Sequence, residues 1–333
     1  MRRLLALSLL ASAPPLGAQP IDLHIAPLFG TELRYEQYAA DRLAGANDAI
    51  LFRARPGVSL SSGLWSIEAV GDAAVEARRT ETSATAGRVP IRPDAVQLGE
   101  LKLEYRGLPA TQISVGRQHL GMASASFTGD RDGDQTFDAA RLRWSGLPGL
   151  SADLAYAWSS SSQWAAAEGP LPATVPGENL FAQLNWTNGF GTFSGYAYQI
   201  DQRNLADSQF RLLNQIYGAR FAGSRRVGED IRLNYAMGYV RQTGSVANAA
   251  GGAPTYWQIG SRLDLGELGA TQTSYRRFAA NGISTLNGNT LSLATSATKG
   301  RMTLGATYND FRPVEDTNAI STRDIRISLG LIF

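Results

Sequence analysis

The sequence predicts an all-β fold: a transmembrane antiparallel β-barrel of about sixteen strands. Three observations predict it. The last eleven residues alternate apolar and polar side chains. Fifteen earlier stretches alternate in the same manner. The links between them are short and long in turn.

The last stretch sets the pattern. From Arg323 to Phe333, Ile325, Ile327, Leu329, Leu331 and Phe333 share one parity, and Arg326, Ser328 and Gly330 the other; only Ile332 departs from it. Such alternation puts one set on each face of a strand. In a membrane barrel the apolar set meets lipid and the polar set meets the lumen. A soluble sandwich strand would rarely end its chain on an aromatic residue. An amphipathic closing strand with a terminal Phe resembles the assembly signal of bacterial outer-membrane proteins. That resemblance implies recognition of Ile327, Leu329, Leu331 and Phe333 by the barrel assembly machinery.

The other strands follow in order. The first two run near Phe29 to Tyr38 and Ile50 to Leu60, where Phe52, Ala54 and Val58 oppose Arg53, Arg55 and Ser59. Leu64 to Ala73 and Val96 to Tyr105 come next, the latter with Leu101, Leu103 and Tyr105 against Lys102 and Glu104. Thr111 to Gly116 and Ala139 to Trp144 follow, then Ser151 to Trp158, Leu180 to Trp186, Thr192 to Ile200 and Ile216 to Ala222. Ile231 to Tyr239 alternates without a break. Trp257 to Leu265, Ala270 to Arg276, Thr290 to Thr298 and Arg301 to Tyr308 lead to the closing strand. Pro56 would remove a ladder donor in the second strand, and Ser224 to Asp230 is long for a tight turn. These two points leave fourteen or eighteen strands as alternatives.

Link length separates a barrel from a soluble sheet. Ser61 to Gly63, Gly107 to Pro109, Ser145 to Gly149, Thr187 to Gly191, Gly266 to Gly269 and Lys299-Gly300 are short. Val75 to Ala95, Arg117 to Asp138, Ser159 to Asn179, Asp201 to Gln215, Gln242 to Pro254 and Asn309 to Thr322 are long. Short periplasmic turns and long extracellular loops are the layout of an outer-membrane barrel. Aromatic residues near strand ends, among them Tyr35, Trp65, Tyr105, Trp144, Trp186, Tyr239, Trp257 and Tyr308, fit girdles at the lipid–water boundary.

The N-terminus addresses the chain to the envelope. Arg2 and Arg3, the apolar run from Leu4 to Ala13 and the small residues at Leu16-Gly17-Ala18 read as a signal peptide over residues 1–18. Residues 19–333 then form a single barrel domain. The apolar run is shorter than the roughly 20 residues that a membrane helix needs, and no later run is longer. Lys and Arg number 31 against 29 Asp and Glu, so loss of Arg2 and Arg3 leaves a neutral chain. That balance implies no nucleic-acid partner. With no Cys, disulfides, thiolate metal sites and thiol catalysis are excluded.

The densest stretch of potential chemistry runs from Gly116 to Trp144. Gly116-Arg117-Gln118 with Leu120, Phe127, Gln135-Thr136-Phe137-Asp138 and Ala140-Arg141-Leu142 resembles the alginate-export family of outer-membrane barrels. The resemblance implies a channel, whose best-known relative exports an acidic polysaccharide through an Arg-rich lumen. This chain is shorter, with fewer candidate strands and a neutral mature charge. Length, glycine content and clustered acids suggest that the loop folds inward as a constriction, carrying Arg117, His119, Asp130, Asp132 and Asp134. Asp130 to Asp134 imitates the start of a calcium loop, but Gln135 and Arg141 stand where Gly and Glu are required. A hydrolase would have to pair His119 with Ser124 or Ser126, and no nucleophile motif surrounds either.

Charges of lumen parity are the other candidate site. Arg53, Arg55, Arg141 and Arg143 form two pairs with no acid between them, and Arg232 and Arg262 share the same parity. Guanidinium groups at a narrow section would guide anionic solutes, unless carboxylates such as Glu68, Glu104 and Asp153 neutralise them. The expectation is a channel in the bacterial outer membrane for small hydrophilic solutes, preferably anionic ones such as sugar acids, in contact with outer-membrane lipids. It needs no cofactor, no metal and no reaction. Alternatives are export of an acidic polysaccharide, a barrel-embedded hydrolase, and a closed structural or adhesive barrel.

Overall fold

The computed structural model describes residues 22–40, 46–80, 95–122, 135–162, 174–203, 211–243, 254–266, 269–280, 288–313 and 321–332. The expected signal peptide, Asp130, Asp132, Asp134, Ser124, Ser126 and Phe333 lie outside these residues. The strands are β1 (His24–Ala40), β2 (Ala46–Ser62), β3 (Trp65–Thr80), β4 (Ala95–Leu108), β5 (Thr111–Gln118), β6 (Gln135–Leu147), β7 (Leu150–Ser162) and β8 (Thr174–Asn188). There follow β9 (Gly191–Arg203), β10 (Arg211–Arg226), β11 (Arg232–Thr243), β12 (Pro254–Asp264), β13 (Ala270–Ala280), β14 (Gly288–Lys299), β15 (Met302–Pro313) and β16 (Thr322–Ile332). Each pairs antiparallel with its neighbours in sequence, and β16 returns to β1 to close the barrel. The sixteen alternating stretches become these sixteen strands, one for one.

Closure runs through Thr31 opposite Leu331, Leu33 opposite Leu329 and Tyr35 opposite Ile327. The apolar parity faces outward: Leu33, Phe52, Leu101, Leu142, Leu154, Leu184, Met237, Leu293 and Ile327 are all exposed on the outer wall. Near the turns an aromatic chain runs over the same surface. Trp186 lies 5.7 Å from Phe193, Phe193 4.5 Å from Phe221, and Phe221 6.0 Å from Tyr235. These rings combine an apolar body with a polar edge, as a membrane boundary requires.

Both doubts about strand count are resolved by local geometry. The β2–β3 register passes from Ala54–Ala73 to Gly57–Val70, so Pro56 sits where no ladder partner is assigned on that side. On its other side Pro56 stays in register with Phe29. The linker after Ala222 is mostly strand, since β10 continues to Arg226. Only Val227 to Ile231 turn, closed by bonds from the Val227 and Gly228 amides to the Ile231 carbonyl. Gly116 has φ of 122°, and a Cβ there would come within 2.1 Å of the Leu101 carbonyl oxygen. Glycine at this position is therefore a condition of the β4–β5 pairing.

Most strands extend past the predicted stretch at the end bearing the long links. β3 continues through Glu76 and Arg79 to Thr80, and β10 starts at Arg211. A 17-residue strand at ~3.4 Å per residue reaches well beyond a hydrocarbon core of about 30 Å. Outside that core both faces meet water, so the ladder continues where the apolar pattern stops.

Candidate functional site

The lumen wall divides into two halves with different chemistry. From β16 through β1 to β7 it is a lattice of ion pairs. Arg34 bonds Glu32 at 3.0 Å and Glu36 at 3.3 Å, and Arg326 reaches the same Glu36 at 3.0 Å. Lys102 lies 3.0 Å from Glu68 and 3.4 Å from Glu100. Arg53 donates from Nε to Asp72 at 2.8 Å and makes a second, shorter contact through Nη2, with both residues 5% exposed. Arg55 adds a contact of 3.6 Å to the same carboxylate.

Long side chains also pair diagonally across the ladder. Arg143 stands directly opposite Asp153, yet Asp153 binds Arg141, whose own rung partner is Ala155. Arg141 donates to it at 2.8 and 2.5 Å, and reaches the His119 carbonyl at 3.4 Å. Arg143 is left 3.7 Å from Glu104. The four arginines singled out in the sequence thus fall into two kinds. Arg53 and Arg141 are braces clamped by carboxylates. The side chains of Arg55 and Arg143 are 39% and 47% exposed, with contacts of 3.6 Å to Asp72 and 3.7 Å to Glu104. Arg143 also lines a recess of about 580 Å³ near the turns, with Arg106, Gln112, Asp153 and Asn185.

The wall formed by β10 to β13 is unlike this lattice. Arg220, Arg226, Arg232, Arg262 and Arg276 have the lumen parity, and the acid sharing it on these strands is Asp264. Arg262 bonds Asp264 at 2.6 Å, Asn234 donates to the same carboxylate at 2.6 Å, and Arg232 faces it across the ladder. Arg276 donates to the Gln258 side-chain carbonyl at 3.1 and 3.0 Å, and its guanidinium lies 5.2 Å from the centre of the Tyr256 ring. Arg220 makes no hydrogen bond or ion pair among the described residues. Arg220, Arg232 and Arg262 are exposed although they point inward, which puts them against open lumen. A recess of about 560 Å³ lies here, lined by Arg220, Asn234, Gln258, Arg262, Gln272 and Ser274 among others. Sequence parity alone places Arg220 on the lumen face. What ranks it above the other lumen arginines is the near absence of acids on the neighbouring lumen faces.

Towards the long-link end, part of the lumen is filled. Leu120 and Met122, each 5% exposed, pack in one cluster with Phe137, Ala157, Phe181, Tyr198, Ile200, Ile216 and Val240. The wall members belong to the inward parity of β6 to β11. The chain leaving β5 therefore turns into the barrel. His119 fixes this root: Nδ1 lies 3.1 Å from the Gln135 carbonyl and Nε2 3.5 Å from Glu100. Arg117, expected on the constriction loop, sits elsewhere. β5 runs two residues past its predicted end, and its parity carries Arg117 to the outer face. There it binds Asp138 at 2.8 and 2.9 Å. Among the described residues, no group of three or more His, Cys, Asp or Glu is placed to hold a metal ion.

The sequence matches no protein-family model and no curated protein. Solved structures do match. OpdL of Pseudomonas aeruginosa aligns with a TM-score of 0.61 at 12% identity, covering 93% of this chain and 98% of its own. OpdK of the same organism, solved with vanillate, gives 0.60 at 12%, covering 94% and 98%. An anion-selective porin from Comamonas acidovorans gives 0.57 at 9%, covering 94% and 100%. The fold is that of the outer-membrane porins. The likeness is to this kind of porin, and no specific link to the alginate-export family emerges from it. At such identities the fold is shared and nothing finer is carried over.

Proposed function

We propose that the protein is a bacterial outer-membrane channel, without enzymatic activity, for small hydrophilic anionic solutes such as sugar acids. The observation that carries this is the β10–β13 wall, where five lumen-parity arginines meet one carboxylate beside open space. Fixed charge acts strongly where the lumen is narrow and few waters screen it. Guanidinium groups also bind carboxylates through paired hydrogen bonds, favouring organic acids over a halide of equal charge. Similar folds in an anion-selective porin and in a porin solved with vanillate support the reading. Export of an acidic polysaccharide, the narrower reading suggested by the stretch around Gly116 to Leu142, is less well supported. A thick chain would have to pass the packed cluster at Leu120 and Met122.

The test is the reversal potential of single channels in a salt gradient. Wild type is expected to prefer anions. The Arg220→Gln, Arg262→Gln variant should lose most of that preference, shifting the anion-to-cation permeability ratio several-fold. A cation-selective wild type, or an unchanged ratio in the variant, would refute the reading. Assembly is proposed to depend on the closing strand, through Ile327, Leu329, Leu331 and Phe333. Deleting Phe333 should lower the amount found in outer-membrane fractions while export to the periplasm continues. Equal amounts of variant and wild type would contradict that role.

A further inference from the structure

The outer wall carries a charged feature that the channel reading does not use. On β13, β14 and β15 one ladder rung reads Arg277, Asn289, Arg312. All three side chains have the outward parity of Leu291 and Leu293, which are exposed on the barrel's exterior. On the adjoining rung Asp310 pairs with Arg323 of β16, and Arg312 bonds Asp310 at 2.9 Å. Arg312 and Arg323 thus flank one carboxylate, and Arg277 stands two strands from it on a patch four strands wide. With strands ~4.8 Å apart, Arg277 and Arg312 stand on the order of 10 Å from one another. The Arg312 side chain is 73% exposed, and Arg277 and Arg323 are exposed as well.

The position of the patch matters as much as its charge. On the same face Trp257 shares the rung of Arg277, Tyr275 and Leu291 share that of Asp310 and Arg323, and Tyr308 and Ile325 lie one rung nearer the turns. Trp257 and Tyr275 are in contact, their ring centroids 6.5 Å apart. A cationic patch at the edge of an aromatic and aliphatic band, at the end of the barrel that bears the long links, lies at headgroup depth. Phosphate is the group that matches several closely set guanidinium ions. The acyl chains of the same molecule would lie along the apolar band.

We propose that Arg277, Arg312 and Arg323 form a binding site for the phosphate groups of a glycolipid in the leaflet at the long-link end. The site rests on the barrel crossing a bilayer and is independent of which solute passes through the lumen. Asn289 supplies a neutral donor between two of the arginines. Asp310 orders Arg312 and leaves a net positive charge on the patch.

The experiment uses the full chain in detergent, titrated with diphosphoryl lipid A and followed by native mass spectrometry. Wild type should retain the lipid, and should bind the dephosphorylated glycolipid at least about tenfold more weakly. The Arg277→Gln, Arg312→Gln, Arg323→Gln variant should show a similar loss, while Arg225→Gln on the outer wall near the turns should bind like wild type. Inorganic pyrophosphate at millimolar concentration should fail to displace the lipid. Equal binding of the phosphorylated and dephosphorylated lipids would overturn the site, as would an unchanged triple variant. Displacement by pyrophosphate would reduce it to a free-anion site and overturn the lipid assignment. Heat-modifiable migration on gels reports whether the triple variant has assembled. If it has not, the comparison of the two lipids on wild type decides alone. Neither arm reads conductance, so a failed solute assignment would not be mistaken for a failure here.

Discussion

Replacing Asp72 with Ala is expected to destabilise the barrel by about 3–5 kcal/mol. Asp72 is the carboxylate shared by Arg53 and Arg55, and it lies with Arg53 behind packed side chains rather than in open lumen. Removing it leaves the Arg53 guanidinium desolvated without that carboxylate, a much larger effect than loss of an exposed pair, typically worth about 0–1 kcal/mol. Urea unfolding from lipid vesicles measures the difference. The Arg53→Met, Asp72→Leu double variant removes charge and counter-charge together and should recover most of the loss. A single variant within 1 kcal/mol of wild type would show that water reaches Arg53 and that the brace is not buried in solution.

The second large effect concerns the chain that leaves β5. Leu120→Asp or Met122→Asp puts a carboxylate into a cluster built from Phe137, Phe181, Tyr198 and Ile200. An isolated charge is not tolerated there, and the cheaper response is withdrawal of the root from the wall. The expected result is a higher single-channel conductance with greater current noise, since the emptied volume becomes available to ions. Leu120→Ala should act in the same direction more weakly, with a stability cost of about 2–5 kcal/mol from the lost packing. Conductance equal to that of wild type in both Asp variants would place the cluster away from the ion path.

Alternation made the strands legible because the two faces of this sheet meet different solvents. The pattern weakened only where both faces meet water, and there the strand ends were underestimated. That error had one chemical consequence: with β5 ended at Gly116, Arg117 was read as loop and not as an outward side chain. Parity likewise identified which arginines point inward, but it could not say which are neutralised. Arg53 is opposite Ala74 on the ladder and still finds Asp72, two residues along, because a guanidinium reaches diagonal neighbours. Leu120 entered only through a family resemblance, and Met122 gave no signal. Two apolar residues in a segment without periodicity acquire meaning only once the opposite wall is seen to be aromatic.

The rung joining Leu33 to Leu329 also dictates an order of events. Its partners belong to the first and last strands of the barrel, so the contact spans nearly the whole barrel sequence. Until β16 has been synthesised and delivered, β1 is a bare strand edge, with open amides and carbonyls able to pair with any neighbour. Closure at such separation is slow, because the entropy of joining distant segments is lost before the bonds form. The chain must therefore be kept from premature pairing for as long as β16 is outstanding, and the arrival of that strand ends the hazard.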